Sequence, residues 1–322
     1  MNLPRRPITL ALAGALLAAP LAMTAQAEEP ATVRFSVPPW PGVTVKTELA
    51  SQLLNALGYE SRSQEVGSTI TYQALGQGEL DAYLAAWLPA QQGMYDTAMQ
   101  SDNPLVDLGT NVDGARLGFV VPTYIHDEGY TSAEDLCSEE LRGKAGGTLY
   151  SIEVGSGTSD LLAEMQDNGT YCLDEWELSE TSTPGMLSQA RAAMAKDEWI
   201  VFYAWTPHWM TIEYDIRFLD DPEDAWGPDG GRSDVISLVT RRFAEANPNA
   251  TRLLDQLVFS ADDQSAMIYG FSFEERPPEE VALEWLRDNP ERVKAFLEGV
   301  TTRDGGKEAW PVVQEALEIP DA

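Results

Sequence analysis

The chain has 322 residues, 43% of them hydrophobic, and 52 acidic side chains against 21 lysines and arginines, a net charge of −31. That balance excludes nucleic acid and anionic lipid surfaces as natural partners, because both are bound through positive charge. It suits a surface kept soluble in high salt, where self-repulsion is screened, as in a halophile.

Residues 1–27, MNLPRRPITLALAGALLAAPLAMTAQA, join Arg5 and Arg6 to an apolar run and to Ala25-Gln26-Ala27, the small-x-small form of a signal-peptidase site. The run is shorter than the roughly 20 residues a spanning helix needs. These residues read as a cleaved export signal with the mature start at Glu28, which makes the protein soluble and periplasmic. The rest, about 295 residues with a net charge of about −33, is long for one core and suits two lobes.

ATVRFSVPPW predicts a strand over 33–37 that ends in a Pro-Pro turn. VKTELASQLLNALGYE spaces Val45, Leu49, Leu53, Leu54 and Leu57 as one face of a helix, with Gly58 at its end. ESRSQEV is a second strand, STITYQALGQGEL a short helix, and DAYLAAW a third strand ending at Trp87. This alternation is that of an α/β layer with a parallel sheet. ARLGFVVPTYI opens a second unit as a strand, SAEDLCSEELRGK and TSDLLAEMQDNG read as helices, and EWIVFYAW reads as a buried strand. RFLDDPEDAWGPDGGRSD reads as a solvated acidic loop, and VISLVTRRF as a strand returning to the first unit. The remainder reads as helical. The expected organisation is lobe I from residues 28–115 plus 235–322 and lobe II from 116–234, crossed twice by the chain. Cys137 and Cys172 form an even pair in an exported chain and predict one disulfide. It closes a loop of about 35 residues, worth roughly 3 kcal/mol.

Catalytic signatures are missing. There are two histidines, and no HExxH, P-loop, GxSxG or CxxC occurs. The sequence supports no enzyme, no metal and no cofactor. The nine tryptophans are more informative. Trp176, Trp199, Trp226, Trp285 and Trp310 read as packing residues. Trp40, Trp87 and Trp205 each follow a strand and precede a turn residue, in PPWPG, AAWLPAQ and AWTPHW. Ligands of α/β sheets bind beyond the carboxyl ends of strands, so these three indoles point to one cleft. Indole faces suit a quaternary ammonium, which has no N–H to donate. Each cation–π contact is worth about 0.5–2 kcal/mol. In GSGTSD, Gly155 and Gly157 permit close backbone approach, and a helix start near Thr158 or Ser159 offers free N–H groups to an anion.

GQGELDAYLAAWLP, YSIEVGSGTSD and FYAWTPHWM, in this order, resemble the substrate-binding proteins of glycine betaine/proline betaine/choline ABC importers. The resemblance implies a two-lobe α/β periplasmic binding protein (type II, Venus-flytrap) closing on its ligand around an aromatic cage. It also implies permease and ATPase partners in the inner membrane; the binding protein itself is expected to be a monomer. It carries cage roles to Trp87 and Trp205, and Trp40 matches the first-loop tryptophan of the choline-binding branch. The chain departs from that branch at Gly42, where an Asp holds the choline hydroxyl. It departs again at Leu117, where a cage Tyr stands, with Tyr124 as the alternative. From the enteric glycine betaine branch it differs at Ser156, a Trp there, and at Gln91, a His there. The expected ligand is glycine betaine or a related betaine osmoprotectant, with a choline or carnitine binding protein, or behind these a periplasmic enzyme acting on quaternary amines, as the alternatives. Its cation sits among Trp40, Trp87 and Trp205, and its carboxylate meets the amides of Gly157 and Thr158, with Ser156, Gln91 or His208 assisting. His208 either donates to the carboxylate or caps the strand end; both readings stand at this point.

Overall fold

The computed structural model describes residues 32–321. The leader expected over 1–27 and the start at Glu28 lie outside the described residues. The first part is β1 (Thr32–Ser36), α1 (Pro41–Ala56), β2 (Glu60–Gln64), α2 (Ser68–Gln77) and β3 (Ala82–Leu88). β1 pairs with β2 and with β3 in parallel, the pattern the alternation predicts. In α1 the periodic residues Val45, Leu49, Leu53 and Leu54 are fully buried. Pro41 opens the helix where its missing N–H leaves no gap. Gly58, at φ 90°, lies just past the end, in the left-handed region that favours glycine.

After α3 (Gln92–Met99), β4 runs from Val106 to Pro122. The expected strand began at Ala115; the observed one starts earlier, because VDLGTNVDG pairs with a later strand through repeated register shifts. Such bulged polar stretches carry no period-2 signal. There follow α4 (Thr123–Asp127), α5 (Glu139–Lys144), β5 (Thr148–Ser151), α6 (Gly157–Asn168), β6 (Glu177–Glu180), α7 (Thr183–Met194), β7 (Val201–Thr206), α8 (Met210–Glu213) and β8 (Ile216–Phe218). The chain then returns through a short turn, α9 (Pro228–Gly231), and β9 (Arg232–Val239). The final part is α10 (Arg241–Ala246), α11 (Pro248–Gln256), β10 (Phe259–Ser260), α12 (Ala261–Ile268), α13 (Pro278–Asp288), α14 (Pro290–Phe296) and α15 (Ala309–Leu317).

Three expectations need correction. The helix expected over SAEDLCSEELRGK is two pieces, a 3₁₀ turn over Ala133–Cys137 and α5. Ser138 divides them by accepting the Leu141 N–H with its own hydroxyl. β5, β6 and α7 were not anticipated; β6 is only ELSE, four residues with one apolar side chain. The acidic loop is not simply solvated. Asp221 is buried and accepts from the Tyr171 phenol and from the N–H groups of Ala225 and Trp226, which pins Trp226 at 1% exposure.

The sheet order is β2-β1-β3-β9-β4-β7-β5-β6, with β8 and β10 also on β4. The antiparallel pair β4 and β9 stands at its centre. β4 pairs with β9 along its first two-thirds and with β7 and β8 beyond. One hydrophobic core draws on residues between Leu117 and Trp226, joined by Ala90 and Ile268. Two others draw on residues 33–115 and 235–319. The result is a two-lobe α/β fold whose cores are bridged by β4 and β9. Cys137 and Cys172 are joined by a disulfide with Cα atoms 5.1 Å apart.

Candidate functional site

The three strand-end tryptophans meet. Trp40 is the residue before α1, Trp87 is near the end of β3, and Trp205 is on β7. In the sheet, Trp87 stands opposite Val235 of β9 and Trp205 opposite Leu117 of β4, so the crossing strands hold the rings from both lobes toward one place. The peptide bonds Leu88–Pro89 and Thr206–Pro207 that follow are both cis. Trp40, Trp87 and Trp205 line a cavity of about 30 Å³ together with Leu117, Ile152 and Tyr203. Trp40 and Trp205 are 8% and 5% exposed, so a charge placed there is held with little competing water.

Tyr203 is the aromatic that sequence reasoning missed. It lies two residues before Trp205, hence on the same face of β7, and stacks on it at 5.4 Å and 27°. Trp226 stacks on its other side at 5.2 Å and meets Phe119 edge-on at 4.8 Å. The Trp205 ring is therefore backed by a row of aromatics. The period-2 relation to Trp205 was the available signal. Leu117 lines the cavity, while Tyr124 lies elsewhere and donates its phenol proton to the Glu198 carbonyl.

Ser156, Gly157 and Thr158 line the same cavity. α6 begins at Gly157, one residue before the expected start, and Ser156 is its N-cap, accepting the Ser159 N–H at 3.1 Å. The amides of Gly157 and Thr158 belong to the first turn, which has no intrahelical acceptor, and the helix dipole adds partial positive charge there. Tyr203 is hydrogen-bonded to the Thr158 side chain, which links the aromatic wall to this turn. Gln91 also lines the cavity. Its amide is engaged with the hydroxyls of Tyr72, Tyr83 and Ser68. Both Glu153 carboxylate oxygens are buried without a hydrogen-bond partner among the described residues, and burial raises the pKa of that side chain.

His208 is not on the cavity wall. It is fully buried, with Trp205 edge-on at 4.8 Å and Trp209 at 5.2 Å. Its Nδ1 accepts the Met210 N–H at 3.1 Å, so the ring proton is on Nε2. Burial pushes its pKa down to about 3, and the ring is neutral at any ordinary pH. The imidazolium donor considered from the sequence does not form; the contact with Met210 is that of a cap at the strand end.

The lobes touch around the cavity. The Thr69 N–H and hydroxyl both reach the Gly155 carbonyl, at 3.4 and 3.2 Å. A Cβ on Gly157 would stand 2.6 Å from the Ala90 carbonyl oxygen, so only glycine allows this approach. The Trp209 indole donates to Ser272 at 3.1 Å. Among the described residues no helix is long and apolar enough to cross a membrane.

A choline-binding protein of an ABC transporter, solved in complex with choline, superposes with a TM-score of 0.85 and 29% identity, covering 89% of this chain and 98% of that one. Lactococcal OpuAC in its closed-liganded conformation with glycine betaine superposes at 0.74 and 26% identity, covering 82% and 98%. The glycine betaine/carnitine transport binding protein GbuC of Listeria monocytogenes is 33% identical over 160 residues, 49% of this chain; the match spans about half the length, 51%, of that relative. The profile of OpuAC, the substrate binding domain of ABC-type glycine betaine transport systems, matches residues 31–288. The chain belongs to this family of transport substrate-binding proteins, which are not enzymes.

Proposed function

We infer that this chain captures glycine betaine, or a closely related betaine, in a cage of Trp40, Trp87 and Trp205 and delivers it to the permease and ATPase of an ABC importer. The observation that carries the reading is the shared cavity, lined both by the three indoles and by the residues of the first turn of α6. A trimethylammonium is held by cation–π attraction, and a carboxylate by the free N–H groups of Gly157 and Thr158. Ser156 and Gln91 support that end through the cap and the hydroxyl network. Lobe I is residues 28–115 with 235–322 and lobe II is 116–234, working as a monomer in the periplasm after export by the leader. The net charge of −31 marks a protein adapted to high salt.

Choline is the competing ligand, favoured by the likeness to a choline-bound relative and by Trp40. Gly42 opposes it, because no acid stands there to hold the hydroxyl. A calorimetric panel of glycine betaine, proline betaine, carnitine, dimethylsulfoniopropionate and choline at one salt concentration decides. Glycine betaine is expected to bind at least about tenfold tighter than choline, a difference of about 1.4 kcal/mol. Equal affinity for the two overturns the betaine assignment.

A further inference from the structure

The same three tryptophans wall a second, smaller cavity of about 10 Å³, about the space one water centre occupies. Lys46 of α1, one helical turn after Gly42, lines it with Gln264 of α12. Lys46 is 2% exposed. Its Nζ donates to the Asn111 side-chain oxygen at 2.5 Å. Asn111 presents that oxygen because its amide nitrogen is committed to the Leu84 carbonyl and the Ser237 hydroxyl. An ammonium has three protons to donate, and among the described residues no carboxylate lies within ion-pair distance of this one. A buried lysine of this kind is costly to keep charged, and burial brings its pKa down to about 7.

The elements packed around it offer nothing to balance the charge. Glu48 on α1 is partly buried and takes the Gln52 amide. Asp113 on β4, Asp234 on β9 and Asp262 on α12 are exposed, and Asp263 pairs with Arg292 at 3.0 Å. β3 presents Ala85 and Trp87. Beyond Pro207, His208 is neutral.

We propose that Lys46 sets the charge selectivity of the cage. Its ammonium shares the tryptophan wall with the bound trimethylammonium and repels it. A ligand of net positive charge bears the full penalty, whereas a zwitterion recovers part of it through its carboxylate. This rests on the betaine-binding reading of the site and deepens it.

The test titrates choline and glycine betaine calorimetrically at pH 6 and 8.5 into the wild type, Lys46→Met and Asn111→Asp. In the wild type, choline is expected to tighten about fivefold between these pH values, the part of a one-unit coupling that a group near pKa 7 expresses there, and glycine betaine by no more than about half that. Lys46→Met removes the charge and is expected to bind choline at pH 6 as tightly as the wild type does at pH 8.5. Asn111→Asp keeps the lysine but pairs it, and gives the same flat profile if Lys46→Met fails to fold. A choline profile in both variants parallel to that of the wild type overturns the proposal, as does an equal gain for the two ligands. No saturable binding of either ligand to the wild type at any pH overturns the betaine reading and this proposal together.

Discussion

Replacing Trp87 by alanine separates cage from core. Trp87 lies on the cavity wall near the end of β3 and is only partly buried. In the proposed cage, its removal deletes one ring face from the ligand. A largely desolvated cation–π contact contributes about 1–2 kcal/mol, which is about fivefold to thirtyfold in Kd. Trp285 is the control. It is 8% exposed, on α13, with Phe259 at 5.4 Å and Phe296 at 6.1 Å, inside a core that does not line the cavity. Trp285→Ala is expected to cost about 3–5 kcal/mol of stability and to leave Kd within about twofold. Calorimetry with glycine betaine well below the unfolding midpoint measures affinity, and urea unfolding without ligand measures stability. Equal affinity losses at the two positions would refute the sorting of cage from core. So would a Trp87→Ala Kd within about twofold of wild type, since the smallest expected effect is about fivefold.

Three further outcomes are expected. Gly157→Ala puts a Cβ 2.6 Å from the Ala90 oxygen and from Gln91 Cγ; it is expected to hold the lobes apart, weakening glycine betaine by more than about tenfold and enlarging the ligand-saturated radius of gyration in solution scattering. For His208, whose native pKa lies near 3 against an ordinary 6.5, the unfolded chain holds a proton that the native state excludes between those values. Stability therefore falls as pH drops through that window, by up to about 1.4 kcal/mol per pH unit. His208→Gln is expected to lessen that slope in urea unfolding while leaving the affinity profile between pH 6 and 9 as in the wild type; loss of a pH-dependence there would reassign the carboxylate contact. Replacing Cys137 and Cys172 together by serine is expected to lower stability by roughly 3 kcal/mol with little change in Kd, since the bridge joins the 3₁₀ turn to the segment after α6, away from the cavity.

The sequence by itself determined the layer pattern and which strand ends carry the three indoles. Leucines at helical spacing in α1 and the alternation around β1, β2 and β3 are local patterns, and local patterns survive whatever packs on them. Trp40, Trp87 and Trp205 were legible for the same reason: each stands at a strand end beside a turn, and strand ends are where such sheets open to ligands. Weak local signals failed. β5 and β6 are four residues each, and the first half of β4 is a bulged polar stretch held by β9. Tyr203, read from the sequence as part of a buried strand, joins the cavity only because α6 and β7 meet. Asp221 is held by donors that include Tyr171, far away in the chain. The states of His208 and Lys46 lay furthest from view. Composition shows a histidine and a lysine. Whether each carries charge depends on how much water and how many counter-charges the rest of the chain leaves around it, and that is fixed only when Trp205 and Trp209 close over one ring and α1, β4 and β9 enclose the other side chain.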